Sequence, residues 1–335
     1  MHTAKAALAA LLALTALTAC SSSTAAAPGA GAAATVTVRI PDPGNSGVLA
    51  LGKKDGSLAK ALAAVHAKVA WTGSVGPFAP AAQELNAAQL DVAQGSITSA
   101  VTALAVKPGF KLFAATEPDP VGEGILVKDG SLITSVKDLV GKKVAVNQGG
   151  TGEYLLLRAL AEAGVAPDQV QRVYLRPDQS APVFNSGQVD AWATWSSYAI
   201  SALADSGAHF LANGKALGSD NYSVWAVRTA FAEQHPDVTR ALYQYLHDGD
   251  AKAKADPAGY LNVFTDAGPQ AVTGKKEQIS VDFGKQAGVD QPIDDAVAAR
   301  FDQVAAFYAA QRITKEQVAI RPSLLDVDSL PGGTR

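Results

Sequence analysis

The stretch Lys142 to Leu160, KKVAVNQGGTGEYLLLRAL, constrains the fold more than any other part of the chain. Lys143 to Val146 is a short apolar, β-branched run of strand type, Gly149-Gly150-Thr151-Gly152 is a turn, and Glu153 leads into a long apolar helix. A strand that feeds a helix through glycines leaves the helix's first N–H groups unpaired at the positive end of the macrodipole, with no Cβ to block a close approach. Such a turn is an anion seat. An ordinary strand-to-helix connection of any α/β domain uses the same residues.

At the start of the chain, Lys5 precedes an Ala/Leu run from Ala6 to Thr18, a charged segment and apolar core too short to span a bilayer as a mature helix. Residues 1–19 therefore read as an export signal. Its end, Leu17-Thr18-Ala19-Cys20, resembles the bacterial lipobox, which implies cleavage just before Cys20 and a lipid on that residue. Cys20 is the only cysteine in the chain, so no disulfide or metal role competes for it. Ser21 to Ala34, SSSTAAAPGAGAAA, lacks the apolar bulk to fold, and residues 20–34 are expected to form a flexible tether. The domain is thus expected outside the cytoplasmic membrane and leashed to it. Losing Lys5 with the signal turns 28 basic residues into 27 against 31 acidic ones, a net charge of −4 that offers no footprint for nucleic acid. With 48% hydrophobic residues and no second long apolar run, the body reads as soluble and held by packing alone.

From Thr35 the chain alternates short apolar runs with Ala/Leu-rich stretches. Thr35 to Ile40, Lys68 to Thr72, Asp91 to Gln94 and Phe110 to Ala115 read as strands, with helices at Leu58 to His66, Ala79 to Gln89 and Ser96 to Val106. A second set follows Gly122. Strands at Gly124 to Val127, Lys143 to Val146, Gln171 to Leu175 and Asp190 to Trp195 are separated by helices at Val136 to Leu139, Thr151 to Ala163 and Ser180 to Ser186. Ala208 to Ala212 and Ser223 to Val227 read as the last strands, and nearly everything beyond is helical. The pattern predicts an α/β protein of two lobes, each a mostly parallel sheet flanked by helices. The chain crosses into the second lobe near Pro118 to Val121 and returns near Asp220 to Val224. Lobe one is then 35–117 plus 224–335, and lobe two is 118–223. Two crossovers make rotation of one lobe against the other the expected soft motion, and one uninterrupted core would count against it.

The sequence contains no HExxH, no GxSxG and no cysteine nucleophile in the body, and His66, His209, His235 and His247 have no metal-ligand spacing. Gly47 to Lys54, GVLALGKK, comes near a P-loop, but Lys54 stands where Ser or Thr must hold magnesium. GGTG also lacks the third glycine of a dinucleotide fingerprint, because Leu155 follows. No cofactor, metal or catalytic residue is assigned. Glu117, Asp119 and Glu123 supply carboxylates for a rival reading as a cleft enzyme, and polarity at a hinge accounts for them equally.

Small polar residues at strand-to-helix junctions remain as binding candidates. Gln94-Gly95-Ser96-Ile97-Thr98-Ser99 ends a strand and opens a helix as GGTG does in the other lobe, so two helix N-termini could face one ligand. Ser96 or Thr98 could equally be a helix cap. In Asp190 to Tyr198, DAWATWSSY, alternation sends Trp192 to the core if Trp195 points out of the strand end, where it could form an apolar wall; core packing of both is the alternative. Tyr222, which ends the polar turn Gly218 to Tyr222 at the return crossing, joins the candidates.

Four runs carry a family resemblance: TEPDPVGEGILVKDGS (Thr116 to Ser131), VKDLVGKKVAVNQGGTGEYLLLRALAEAGV (Val136 to Val165), SGQVDAWATWSSY (Ser186 to Tyr198) and FAEQHPDV (Phe231 to Val238). Together they resemble the aliphatic-sulfonate-binding proteins of ABC importers, within the nitrate/sulfonate/taurine group, from about Thr35 to about Arg321. The resemblance implies a type II periplasmic-binding-protein fold that takes a small anion, most simply an aliphatic sulfonate, in its inter-lobe cleft. It further implies delivery of the ligand to a membrane permease driven by a separate ATPase, and the absent catalytic constellations and the tether add the expectation of a receptor without turnover, acting as a monomer. The head group would sit at Gly150, Thr151, Gly152 and Glu153, with the tail toward Trp195. Nitrate, taurine, and neutral or cationic metabolites stay open as ligands. Three departures bear on this. Gly-Ser-Ser-Ala-His-Tyr of many sulfonate binders is Gly149-Gly150-Thr151-Gly152-Glu153-Tyr154 here, Trp-Asp-Pro-Tyr is Trp195-Ser196-Ser197-Tyr198, and the first-strand tip is Pro41-Asp42-Pro43-Gly44-Asn45, which makes Asn45 a contact by position only. Glu153 suits the helix dipole, yet it would compete with a bound anion if it pointed inward.

Overall fold

A computed structural model describes residues 35–107 and 109–331. The export signal, Cys20 and the tether lie outside the described residues. The first lobe begins with β1 (Val36–Asp42), α1 (Val48–Asp55), α2 (Ser57–Ala63), β2 (Ala67–Ser74) and α3 (Phe78–Asn86). It continues through β3 (Val92–Ser96), α4 (Ile97–Val106) and β4 (Phe110–Thr116) before the chain crosses over. The second lobe holds β5 (Glu123–Lys128), β6 (Lys143–Val146), α5 (Thr151–Ala163), β7 (Gln171–Tyr174), α6 (Pro177–Asn185), β8 (Ala191–Trp195), α7 (Ser196–Asp205) and β9 (Ala208–Asn213). β10 (Ser223–Arg228) returns to pair with β3 and β4, and α8 (Thr229–Gln234), α9 (Pro236–Ala255), α10 (Lys275–Gly284) and α11 (Asp295–Ala310) follow, with Lys275 of α10 donating to the Leu203 carbonyl of α7 at 2.7 Å.

Strands β7-β6-β8-β5-β9 form one sheet, β3-β10-β4 a second, and β1-β2 a third. Pairing is parallel at β1-β2, β6-β7 and β6-β8. It is antiparallel wherever the crossover strands enter, β5 against β8 and β9, and β10 against β3 and β4. The sheets are therefore mixed rather than mostly parallel, because each strand that enters or leaves a crossover runs back against its neighbours. β10 is buried on both faces: Val224 and Ala226 join one apolar cluster while Trp225 and Val227 join another, which is why Val224 to Val227 is an unbroken apolar run. Arg39 of β1 and Arg228 of β10 both grip the buried carboxylate of Asp91 beside β3, at 2.7 Å each. Burial alone would raise that carboxyl, and the guanidiniums hold it below its usual range.

One local expectation changes. Val136–Leu139 is a 3-10 turn, with the Asp138 carboxylate accepting the N–H groups of Thr134 and Ser135. Gly47 to Lys54, set aside above as a phosphate loop, runs into helix α1, and the Lys54 ammonium donates to the carbonyl of Val263.

The largest apolar cluster runs through both lobes, from Ile97 and Val101 of α4 to Tyr154 and Leu155 of α5 and Phe301, Val304 and Tyr308 of α11. Tyr154 meets Phe307 edge-on at 5.6 Å, and the Tyr308 hydroxyl donates to the carbonyl of Gly150 at 3.1 Å. The core is continuous on this side, while separate clusters around Phe113 and Trp225 and around Phe184 and Trp192 lie apart from it. The polar cleft lies on the other side.

Candidate functional site

Four strand-to-helix junctions, β2 to α3, β3 to α4, β6 to α5 and β8 to α7, surround a cavity of about 320 Å3. Gln94, Ser96, Thr151 and Trp195 line it, so the structure brings these four candidates from both lobes together. At β3 to α4, Ser96 caps the helix by accepting the N–H of Ser99 at 3.4 Å and also faces the cavity. Gly95 is fixed by packing, since a Cβ there would lie 2.4 Å from the ring of Phe78, another lining residue. At β8 to α7, Trp192 is buried and Trp195 faces the cavity, meeting Tyr198 edge-on at 5.9 Å. Ser196 holds a left-handed φ of 52°, unusual for a non-glycine residue, while its N–H donates to the carbonyl of Gly122 at 2.7 Å.

At β6 to α5 the seat differs from the expectation. Asn147, before the glycine turn, accepts the N–H of Gly152 on Oδ1 at 2.7 Å, and its carbonyl accepts that of Gly150 at 3.3 Å. These two glycines frame the helix start and do not line the cavity. A Cβ on Gly150 would stand 1.9 Å from Asn147 Nδ2, and one on Gly152 would stand 2.4 Å from the carbonyl oxygen of Ala193. Thr151 presents its hydroxyl, which donates to Ser96 Oγ at 3.1 Å across the lobes. Glu153 turns the opposite way, fully buried, and does not compete with an anion in the cavity. Its Oε1 accepts from Arg172 at 2.9 Å and from the Tyr174 hydroxyl at 2.7 Å, and its Oε2 accepts the N–H of Gly149 at 2.7 Å.

The remaining candidates stand outside the lining. Thr98 is buried behind it and donates to Asn221 Oδ1 at 2.7 Å. Tyr222 packs edge-on against Phe301 at 5.6 Å, where its carbonyl takes the N–H of Ile97. Asn45 is buried elsewhere: its Nδ2 donates to the carbonyls of Thr265 and Gln270, and its Oδ1 accepts the N–H groups of Phe264 and Thr265. With donors and acceptor engaged, Asn45 fastens a loop rather than a ligand.

Asn221, which sequence reasoning missed, is the hub of the site. Its Nδ2 donates to Glu123 Oε2 at 2.7 Å and to Thr151 Oγ1 at 3.2 Å, while its Oδ1 takes the Thr98 hydroxyl. It sits in the polar return turn, where nothing in the sequence distinguishes it from Ser219 or Asp220. Glu123, named above only for the rival enzyme reading, is 3% exposed on the cavity wall. Burial pushes its carboxyl up to about 7, with Ser219 and Asn221 restraining the rise and Asp119 adding to it. Asp119 also lines the cavity, its Oδ1 accepting the N–H groups of Val121 and Gly122. Glu117 does not. The charged lining side chains are thus both acidic, and helix N-termini and hydroxyls are what the cavity offers to an anion. Among the described residues no group of three or more His, Cys, Asp or Glu side chains is placed to hold a metal ion.

A family model described as NMT1/THI5 like matches residues 81–259, more than half of the chain and three of the four junctions. The chain belongs to the NMT1/THI5-like family. Within reach of that family, it is 28% identical over 296 residues to a putative aliphatic sulfonates-binding protein of Escherichia coli K12, covering 85% of this chain and 90% of the relative. It is 33% identical over 142 residues to the taurine-binding periplasmic protein of the same organism, covering 42% of this chain and 43% of that protein. The solved alkanesulfonate-binding protein of Xanthomonas axonopodis pv. citri, bound to MOPS, superposes with a TM-score of 0.78 at 25% identity, over 88% of this chain and 99% of that one. The two-lobed α/β architecture of this NMT1/THI5-like chain is the periplasmic-binding-protein fold of that neighbour.

Proposed function

We propose that this protein is an extracytoplasmic receptor of an ABC importer, lipid-anchored through Cys20, which captures a small organic anion in the cleft and hands it to a permease driven by a separate ATPase. The observation that carries the reading is the convergence of helix starts from both lobes, with Ser96, Thr151 and Ser196 as hydroxyls, on one cavity of about 320 Å3. That volume suits a small ligand, and N–H groups at helix starts hold an anion without a basic side chain. An aliphatic sulfonate is the preferred ligand, its head group at the α4, α5 and α7 N-termini and its tail along Trp195 and Phe78. The sulfonate-binding relatives support this choice. Nitrate or an amine-bearing sulfonate fits the same receptor role, the latter favoured by the taurine-binding relative. The ligand leaves unchanged, and the receptor acts as a monomer.

A thermal-shift panel of alkanesulfonates of several chain lengths, taurine, nitrate and uncharged compounds tests this reading. Ligand at about a hundred times its dissociation constant adds roughly 2.7 kcal/mol and raises Tm visibly. Trp195→Ala should weaken long tails more than short ones, and mass spectrometry should recover the ligand intact. Stabilisation by uncharged compounds alone, with every sulfonate silent at millimolar concentration, refutes the ligand class; reproducible conversion of a ligand refutes the receptor role.

A further inference from the structure

The cleft poses a problem of charge. Among its lining residues the ionisable acids are Asp119 and Glu123, and no lysine, arginine or histidine accompanies them. A sulfonate is the anion of a strong acid and brings no proton of its own, so an ionised Glu123 would face it from the cavity wall as a like charge, in addition to Asp119.

We propose that Glu123 makes capture proton-linked: the cleft takes up one proton from solvent onto the Glu123 carboxylate together with the anion. The inference rests on the anion-receptor reading above. No other bond changes; solvent supplies the proton, and the complex carries the charge of the ligand-free protein.

Position comes first. Glu123 Oε2 lies 2.7 Å from Asn221 Nδ2, which lies 3.2 Å from Thr151 Oγ1, so the carboxylate stands two hydrogen bonds from the first residue of α5. Coulomb repulsion over that span in a buried setting is enough to shift an acid's protonation. Partners come second. Glu123 Oε1 accepts the Ser219 hydroxyl at 2.6 Å, a bond that reverses without movement once the acid carries a proton, because Ser219 Oγ can accept as well as donate. Asn221 continues to donate to Oε2 in either state. A cationic partner would have fixed the ionised form, and both partners are neutral.

Surroundings come third. The loop before β5 presents Asp119, which favours the protonated acid. α5 presents Tyr154, whose phenol is pushed up to about 12 mainly by burial and whose oxygen accepts the N–H of Asp220. The Asp220 carboxylate faces Arg300 at 3.5 Å. β8 opposes Glu123 with Trp195, and after β9 the backbone of Gly214 is so close that a Cβ would sit 3.3 Å from Oε1. Burial already brings the Glu123 carboxyl up to about 7, so a bound anion lifts it through the neutral range.

Calorimetric titration with 1-propanesulfonate at pH 5.5 to 8.5, repeated at pH 8 in two buffers of different ionisation enthalpy, tests the proposal. The dissociation constant should be flat below about pH 6 and rise about tenfold per pH unit above about 7, and the buffer pair should read uptake approaching one proton. E123Q should bind with a dissociation constant that does not change over this range and with no uptake, at least about tenfold tighter than the wild type at pH 8.5. The buffer pair uses the wild-type protein alone, so the test stands even where the variant folds poorly. Binding with no proton uptake at pH 8 and a flat pH profile overturns the proposal and leaves the receptor reading intact. No binding of any sulfonate at any pH overturns both.

Discussion

Two cavities share the first turn of α5, and they differ in a way that runs against simple charge counting. The cleft, about 320 Å3, has hydroxyls, helix starts and two acids. The groove behind it, about 1260 Å3, is lined by Arg172, Arg312 and Lys315 along with Tyr174, Glu153 and Gln148. A search for basic side chains would send an anion to the groove. Yet Arg172 is committed to Glu153, and the groove closes over the side of the molecule where the core is continuous. The same contrast separates the two buried glutamates: Glu153 has a guanidinium, a phenol and a backbone N–H, whereas Glu123 has only a hydroxyl and an amide. Glu153 is paired with a cation, whereas both side-chain partners of Glu123 are neutral.

The largest effect expected from breaking this contrast is at Arg172. Arg172→Met leaves Glu153 buried without a cation and should cost about 3 kcal/mol, the lower end of the range for a broken buried pair because the arginine is 25% exposed. Urea denaturation at pH 7 measures it, and a loss below about 1 kcal/mol would mean that the pair does not hold the α5 start. Glu123→Gln should give the next largest effect, and one that depends on pH. The carboxyl's folded-state value is raised from 4.5 to about 7, so its contribution to stability is fully present below about 4.5 and is lost as pH rises through about 7. Glutamine removes that loss. Relative to the wild type, E123Q should be more stable at pH 8.5 than at pH 5.5 by on the order of 2 kcal/mol, read as a Tm difference between the two pH values; parallel curves would show that folding does not raise the Glu123 carboxyl. The smallest effect is at the seam. Tyr308→Phe removes the bond to the Gly150 carbonyl and should cost about 1 kcal/mol without altering ligand affinity at the cleft. A larger loss of affinity than of stability would show that the seam, and not the junctions, positions the seat.

The strand-to-helix junctions were legible in the sequence because their signals are local: a β-branched run, a glycine or hydroxyl, then an apolar helix. Strand alternation offered the opposite placement of Trp192 and Trp195 as one of two readings, with core packing of both as the other. What could not be read depends on partners distant in the chain. Glu153 turns away from the cleft because β7 brings Arg172 and Tyr174 beside it. Asn45 is taken by a loop about 220 residues later, at Thr265 and Gln270. Asn221 becomes a hub only where β5, α4 and α5 meet around the return turn. The continuous core has the same origin: Tyr154 and Tyr308 are far apart in sequence and each reads as the apolar face of its own helix. The mixed sheets follow from the direction of the crossover strands, which apolar pattern does not encode.

The central claim is that the anion sits in the cleft at the helix starts and not in the basic groove behind α5. Backbone amide NMR of the 15N-labelled protein during titration with 1-butanesulfonate tests it most directly. The account predicts saturable shifts at Ser96 to Ser99, Thr151 and Ser196 to Tyr198, with Arg172, Tyr174 and Arg312 unmoved. Shifts confined to Arg172, Tyr174, Arg312 and Lys315, with the amides of Thr151 and Ser197 still, would contradict it.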